Sequence, residues 1–143
     1  MRLTRASSYA LHAVVYMANQ KQNRPVPSHL IARARGVPER FLLKVLKPLV
    51  SHRILLSVKG PNGGYRLARS PSDITMLEII EAVDGHIKGI NPVTDKGSPV
   101  MNGRLEAVCK QTAAAVRNHL ETVRISDLIA KRESGDGRSR KSD

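Results

Sequence analysis

Side chains able to do covalent or metal chemistry are sparse in this chain. It has one cysteine, Cys109, and five histidines, at 12, 29, 52, 86 and 119. No two histidines stand four apart, and none accompanies the cysteine at zinc-site spacing. The segment Gly60-Pro61-Asn62-Gly63-Gly64 lacks the Gly-Lys-Ser/Thr ending of a phosphate loop and would not open directly into a helix. Its glycines need only permit a turn. No Ser/His/Asp grouping stands out, although such a triad can be spread along a sequence. Nothing here argues for an enzyme.

Charge is concentrated instead. The net charge is +12, and residues 1–70 hold thirteen Lys and Arg against one acid, Glu39, whereas residues 71–143 hold eleven of each sign. Bases without acids on a folded module are the footprint of a polyanion partner, since self-repulsion makes such a surface costly otherwise. A merely solvated basic face is the plain alternative.

The elements that would position those bases follow from local pattern. From Ile54 to Leu67 two β-prone runs flank the glycine cluster, so the segment reads as a hairpin with a short projecting loop. Lys59 stands at its turn and Arg66 just beyond, with Tyr65 packing beneath. Thr4 can cap a first helix running to about Asn19. Arg2, Thr4, Arg5 and Ser8 fall in or before its first turn, where free N–H groups, hydroxyls and guanidinium groups can meet phosphate. Pro27 suits the first position of a helix over 28–35, stopped by Gly36. Pro38 and Glu39 then open another, with Phe41, Leu42, Val45, Leu46 and Leu49 at helical spacing and Pro48 ending it near Lys47. Two short helices joined by a glycine turn make a helix-turn-helix, whose second helix reads the major groove. Glu39, Arg40, Leu43, Lys44 and Lys47 point away from its apolar stripe.

Thr75 and Glu78 match a capping box for a helix through Val83, closed by Gly85. Residues 85–103 read as a loop. From Arg104 to about Arg124, Leu105, Val108, Cys109, Thr112, Val116, His119, Leu120 and Val123 form an apolar stripe that predicts a helix packed on a partner subunit. Cys109 on that stripe reads as a small buried hydrophobe, with a redox-sensing thiol or intersubunit disulfide as the alternative. Ser126 would cap a last short helix to Ala130, and the tail at 132–143 is expected to be disordered.

The bulk numbers agree. At 143 residues the chain holds one ordinary domain with an appended element, and with 3% aromatics its core must be aliphatic. No apolar run reaches the roughly 18 residues of a membrane span. The opening stretch MRLTRASSYALHAVVYMA is interrupted by His12 and Tyr16 and reads as a helix and not a signal peptide. A single cysteine fits a reducing cytosol, so a cytoplasmic location is expected.

Several stretches together resemble the Rrf-two family of bacterial winged-helix regulators. They are MRLT with Tyr9-Ala10, Pro25-Val26-Pro27, Phe41-Leu42, SVKGPNGGYRLAR at 57–69 and ITMLEIIEAVDG at 74–85. The resemblance runs from residue 1 to about 130. It implies a homodimer, joined through the 104–124 helix, that places two winged domains on a palindromic operator, most often as a repressor. It also implies that Lys59 enters the minor groove. Cluster-binding members carry three cysteines in the loop before the dimer helix and a fourth ligand shortly after the last. Here 85–103 has no cysteine, and Thr112 stands where a histidine partner of Cys109 would be. An iron–sulfur cluster needs about four such ligands, so no cofactor is expected.

The expectation is thus a mainly α fold with a small β-hairpin wing. A winged helix-turn-helix DNA-binding domain spans 1–84, a loop 85–103, and a dimerisation helix with a short terminal helix 104–131. DNA contacts are expected from Arg2, Thr4, Arg5, Ser8, Glu39, Arg40, Lys44, Lys59, Asn62 and Arg66. Expected partners are double-stranded DNA, a second copy, and a regulatory protein or small-molecule effector; a basic RNA-binding protein is the other reading, weakened by the scarcity of aromatics for base stacking.

Overall fold

The computed structural model describes residues 1–129, so the expected tail and the end of the last expected helix lie outside the described residues. Helix α1 (Arg5–Ala18) begins where the Thr4 hydroxyl accepts the Ser7 N–H at 3.0 Å. Helix α2 (Ser28–Arg35) ends at Gly36, whose φ of +65° suits a residue without Cβ. Pro27 and Pro38 each occupy the cap position before their helix, one place earlier than expected.

Helix α3 (Glu39–Ser51) runs through Pro48, beyond the end expected near Lys47. Proline leaves the Lys44 carbonyl without its helical donor, but Lys44 is exposed and water can serve it. Continuing the helix buries Leu49 completely, which outweighs the lost bond. Phe41, expected in the buried stripe, is instead 45% exposed; Leu42, Val45, Leu46 and Leu49 alone make that stripe.

Strands β1 (Leu55–Val58) and β2 (Gly64–Leu67) pair antiparallel, Leu55 opposite Leu67 and Val58 opposite Gly64. The loop between them is therefore residues 59–63. Tyr65 exchanges both backbone bonds with Val26 at 2.9 Å, tying the hairpin to the segment before α2. Gly64 makes that approach feasible: a Cβ there would lie 2.3 Å from the Val26 carbonyl carbon. Asn23 adds a reciprocal pair of bonds to the Leu67 backbone, at 2.9 and 3.2 Å.

Helix α4 (Met76–Asp84) has the expected capping box between Thr75 and Glu78 and ends at Gly85, φ +86°. Helix α5 (Pro99–Thr122) starts earlier than the expected Arg104. Ser98 caps it by accepting the Met101 N–H at 3.1 Å, and Pro99 fills its first position. The loop is accordingly 85–98. Gly103 reads as loop material but sits inside this capped 24-residue helix, at a propensity cost of about 1 kcal/mol relative to alanine.

Helix α6 (Ile125–Leu128) is capped by Asp127, whose carboxylate accepts the Arg124 N–H at 2.8 Å, and not by Ser126. The Ser126 N–H instead donates to the Pro71 carbonyl at 3.1 Å. Neighbouring bonds run from Met76 N–H to Val123 O (2.8 Å) and from Ile125 N–H to Ile74 O (2.9 Å), and Ile125 is fully buried in the main core. The DNA-binding unit expected over 1–84 is thus completed by 123–128. Its core joins Val14 and Met17 of α1, Ile31 of α2, the α3 stripe, Leu55, Ile74, Ile79 and Ile125.

Candidate nucleic-acid interface

The core stripe of α3 fixes which residues face outward. Arg40 and Lys44 are exposed, one turn apart, and both sit over the Phe41 ring, at 5.9 and 5.6 Å from its centroid. Glu39 is also exposed, but one carboxylate oxygen accepts the Ser28 hydroxyl at 2.9 Å, bridging α2 and α3 across the turn. Leu43 is 43% exposed on the other flank.

In the hairpin, Lys59 and Asn62 are exposed in the loop, where Gly60 has φ +106°. Arg66 is half-buried on the face opposite Leu55 and Leu67, directly across from Leu56. Tyr65 packs against the core from beneath the hairpin. Arg2, Thr4, Arg5 and Ser8 surround one open hollow with Leu3 and Tyr9.

Sequence reading missed the group behind that hollow. Asp84, at the end of α4, accepts from the Thr4 hydroxyl at 2.8 and 2.9 Å and from the Ser7 hydroxyl at 2.6 Å. Ser7 is fully buried. The Thr4 hydroxyl hydrogen is thereby committed, and its oxygen already accepts the Ser7 N–H, so a phosphate, which offers no hydrogen, would have to displace Asp84. Thr4 is a structural link between α1 and α4. The signal was present in sequence only as an acid 80 residues away.

Positive charge on this half of the chain is almost entirely unpaired among the described residues. Of the thirteen bases in residues 1–70, only Arg69 has a carboxylate within 4.0 Å among the described residues, Glu78 at 3.2 Å.

Helix α5 divides into two parts. Leu120, expected at a subunit interface, is buried with Leu77 and Ile80 of α4, and Val116 packs against them, so Leu120 packs in the chain's own core. Hydrophobic spacing is the same along the whole stripe and does not reveal which end meets α4. Glu81 locks that end: it accepts from Arg117 at 2.8 and 3.0 Å and from the Ile87 N–H at 2.8 Å. The Arg117 hydrogen bonds hold the Glu81 carboxyl below its ordinary pKa, against a smaller opposing effect of burial. Val123 is half-buried, with its carbonyl engaged by Met76. Toward the other end, Leu105 (41%) and Val108 (57%) are exposed, as is Thr112, and His119 beside Leu120 is exposed too. Cys109 is half-buried; Gly89 of the preceding loop lies so close that a Cβ there would come 2.1 Å from the Cys109 carbonyl oxygen.

A model of the Rrf2 family, described as iron-dependent transcriptional regulators, matches residues 3–131. The chain belongs to the Rrf2 family. It is a winged helix-turn-helix transcriptional regulator and not an enzyme. The regulator IscR of Photorhabdus laumondii is 28% identical over 130-odd residues, covering 93% of this chain and 82% of its own. Protein aau3 of Rhizobium meliloti is 40% identical over 85 residues, 59% of this chain and 54% of that protein. Among solved structures, CymR, the global cysteine regulator of B. subtilis, superposes with a TM-score of 0.73 at 23% identity, covering 90% of this chain and 95% of CymR. IscR of T. potens gives 0.68 at 21% identity, over 100% and 93%. At those identities the structural likeness establishes the fold.

Iron is the cofactor this family description implies, and the donor set does not fit it. Cys109 is the chain's one thiol. The described residues bring no three His, Cys, Asp or Glu side chains together as a ligand group. The Thr112 hydroxyl donates to the Val108 carbonyl of its own helix at 2.8 Å. Among the described residues no helix is long and apolar enough to cross a membrane.

Proposed function

We propose that this chain is a cytoplasmic, homodimeric, sequence-specific DNA-binding repressor that acts by occupying a palindromic operator without an iron–sulfur cluster. The observation that carries the reading is the set of bases on α3 and the hairpin loop with no carboxylate partner among the described residues. Arg40 and Lys44 face the major groove, and the free oxygen of Glu39 accepts from a cytosine amino group. Lys59 enters the minor groove, with Asn62 and Arg66 serving the wing. Arg2, Arg5 and Ser8 hold phosphates; Thr4 acts indirectly, by fixing the start of α1. The exposed apolar residues of α5, Leu105 and Val108, with Cys109 and Thr112 beside them and His119 farther along the helix, meet the same helix of a second copy. Leu120 stays in its own subunit, and Val116 and Val123 support that packing.

Selecting bound fragments from genomic DNA, with sedimentation of the bound complex, tests the reading. The expected result is one inverted repeat carrying two chains. Recovery of unrelated fragments, or tighter binding to structured RNA in direct competition, would refute it.

A second reading concerns the signal. A cavity of about 590 Å³ lies between the Met1–Thr4 segment, the 85–90 loop and α5. Its position supports a small-molecule effector or a docked regulatory protein that shifts the DNA-contacting first turn of α1. Pull-down and ligand-induced melting shifts, each with and without operator, separate the two.

A further inference from the structure

The chain has a single phenylalanine, and nearly half of its surface is exposed. Phe41 lies in the first turn of α3, 45% exposed, one residue off the stripe that packs on the core. Arg40 and Lys44 stand over its ring at 5.9 and 5.6 Å, within the roughly 6 Å reach of a cation–π contact. With both cations at that distance, nearly half of the side chain is still exposed for other contacts. An exposed apolar ring with two cations over it, in the first turn of the second helix of the helix-turn-helix, fits a ligand that is anionic around and apolar at one spot. The base edges of the major groove present hydrogen-bonding groups throughout and one apolar group, the C5-methyl of thymine.

We propose that Phe41 is a specificity-determining residue that reads thymine through its 5-methyl group, while Arg40 and Lys44 contact the adjoining phosphates or guanine. The proposal rests on the DNA-binding reading above, and deepens it by naming the base and the atom recognised. Contact with the methyl would cover ring surface that the free protein exposes, which favours the complex; uracil offers no such group.

The test uses the full chain and the operator duplex recovered by selection, with each thymine replaced in turn by deoxyuridine. Wild type should lose about three- to tenfold in affinity at one or two positions per half-site, the scale of one buried methyl group. Phe41→Ala should bind the thymine operator more weakly by a similar factor and should not distinguish thymine from uracil there. Leu43→Ala should still distinguish them. Phe41→Gln, which keeps a long helix-compatible side chain, guards against an alanine variant that folds poorly. Equal binding of every uracil duplex by wild type overturns the proposal, as does discrimination that survives in both Phe41 variants. If selection returns no duplex at all, the DNA-binding reading itself fails, and does so before any uracil is introduced.

Discussion

Helices α3 and α5 carry similar apolar stripes and use them differently. In α3, Leu42, Leu46 and Leu49 are fully buried by the chain's own helices, which frees the opposite face for an external partner. In α5, the end bearing Leu120 is covered, and Leu105 and Val108 remain in contact with water. Amphipathic spacing reports that a face is to be buried, but not by which molecule. The charge around the two helices differs as well. Among the described residues the bases of α3 have no carboxylate within ion-pair distance, whereas α5 pairs Lys110 with Glu106 at 3.4 Å and Arg117 with Glu81. One helix is arranged for a polyanion and the other for apolar contact.

Leu46→Ala should break the α3 side of this contrast most severely, costing about 2–5 kcal/mol through the cavity it leaves. Urea unfolding measures it. Leu120→Ala should cost about 2–3 kcal/mol in the same assay and leave a dimer at micromolar concentration. A variant that dissociates without losing stability would return Leu120 to the interface. Arg40→Ala should lose about 1–3 kcal/mol of operator binding and relax preference at one position, whereas Arg5→Ala should lower the salt dependence by about one counterion. Binding titrations across salt concentrations separate those two outcomes. Val108→Asp should weaken self-association at least tenfold, about 1.4 kcal/mol, and leave helical content unchanged, as sedimentation with circular dichroism would show.

The smallest effects concern Glu81 and Cys109. Because folding lowers the Glu81 carboxyl pKa, its contribution is complete above the ordinary carboxylate range and is lost as pH falls through the lowered value. Glu81→Gln should therefore melt below wild type at neutral pH, with the gap closing in acid. A gap that persists unchanged to low pH would mean the ion pair is not what holds α4 to α5. Cys109→Ser should leave operator affinity unchanged under oxidant and reductant; oxidant-dependent binding of wild type alone would make the thiol a sensor.

Much of the fold is legible from local chemistry. Thr4, Gly36 and the Thr75–Glu78 box mark helix ends because capping is decided by neighbours within four residues. The glycine cluster at 60–64 marks the hairpin for the same reason. The misreadings share one cause. Pro48 and Gly103 carry breaking propensities that burial of Leu49 and the length of α5 override, and Phe41 fits the stripe's spacing while standing just off its buried sector. The Asp84 bonds to Thr4 and Ser7 join residues nearly eighty apart, which no local pattern announces.

Composition and spacing alone pointed to a basic winged helix-turn-helix with its positive charge in the first half and Lys59 on the wing. Those properties depend on residue types and short-range geometry. Only the tertiary structure decided that Val123–Leu128 return to complete the DNA-binding unit, that Leu120 is intramolecular, and that Thr4 is held by Asp84. It also placed the one phenylalanine outside the core. These depend on which surfaces meet across long stretches of chain, and burial and hydrogen-bond satisfaction select that pairing only once the whole molecule is packed.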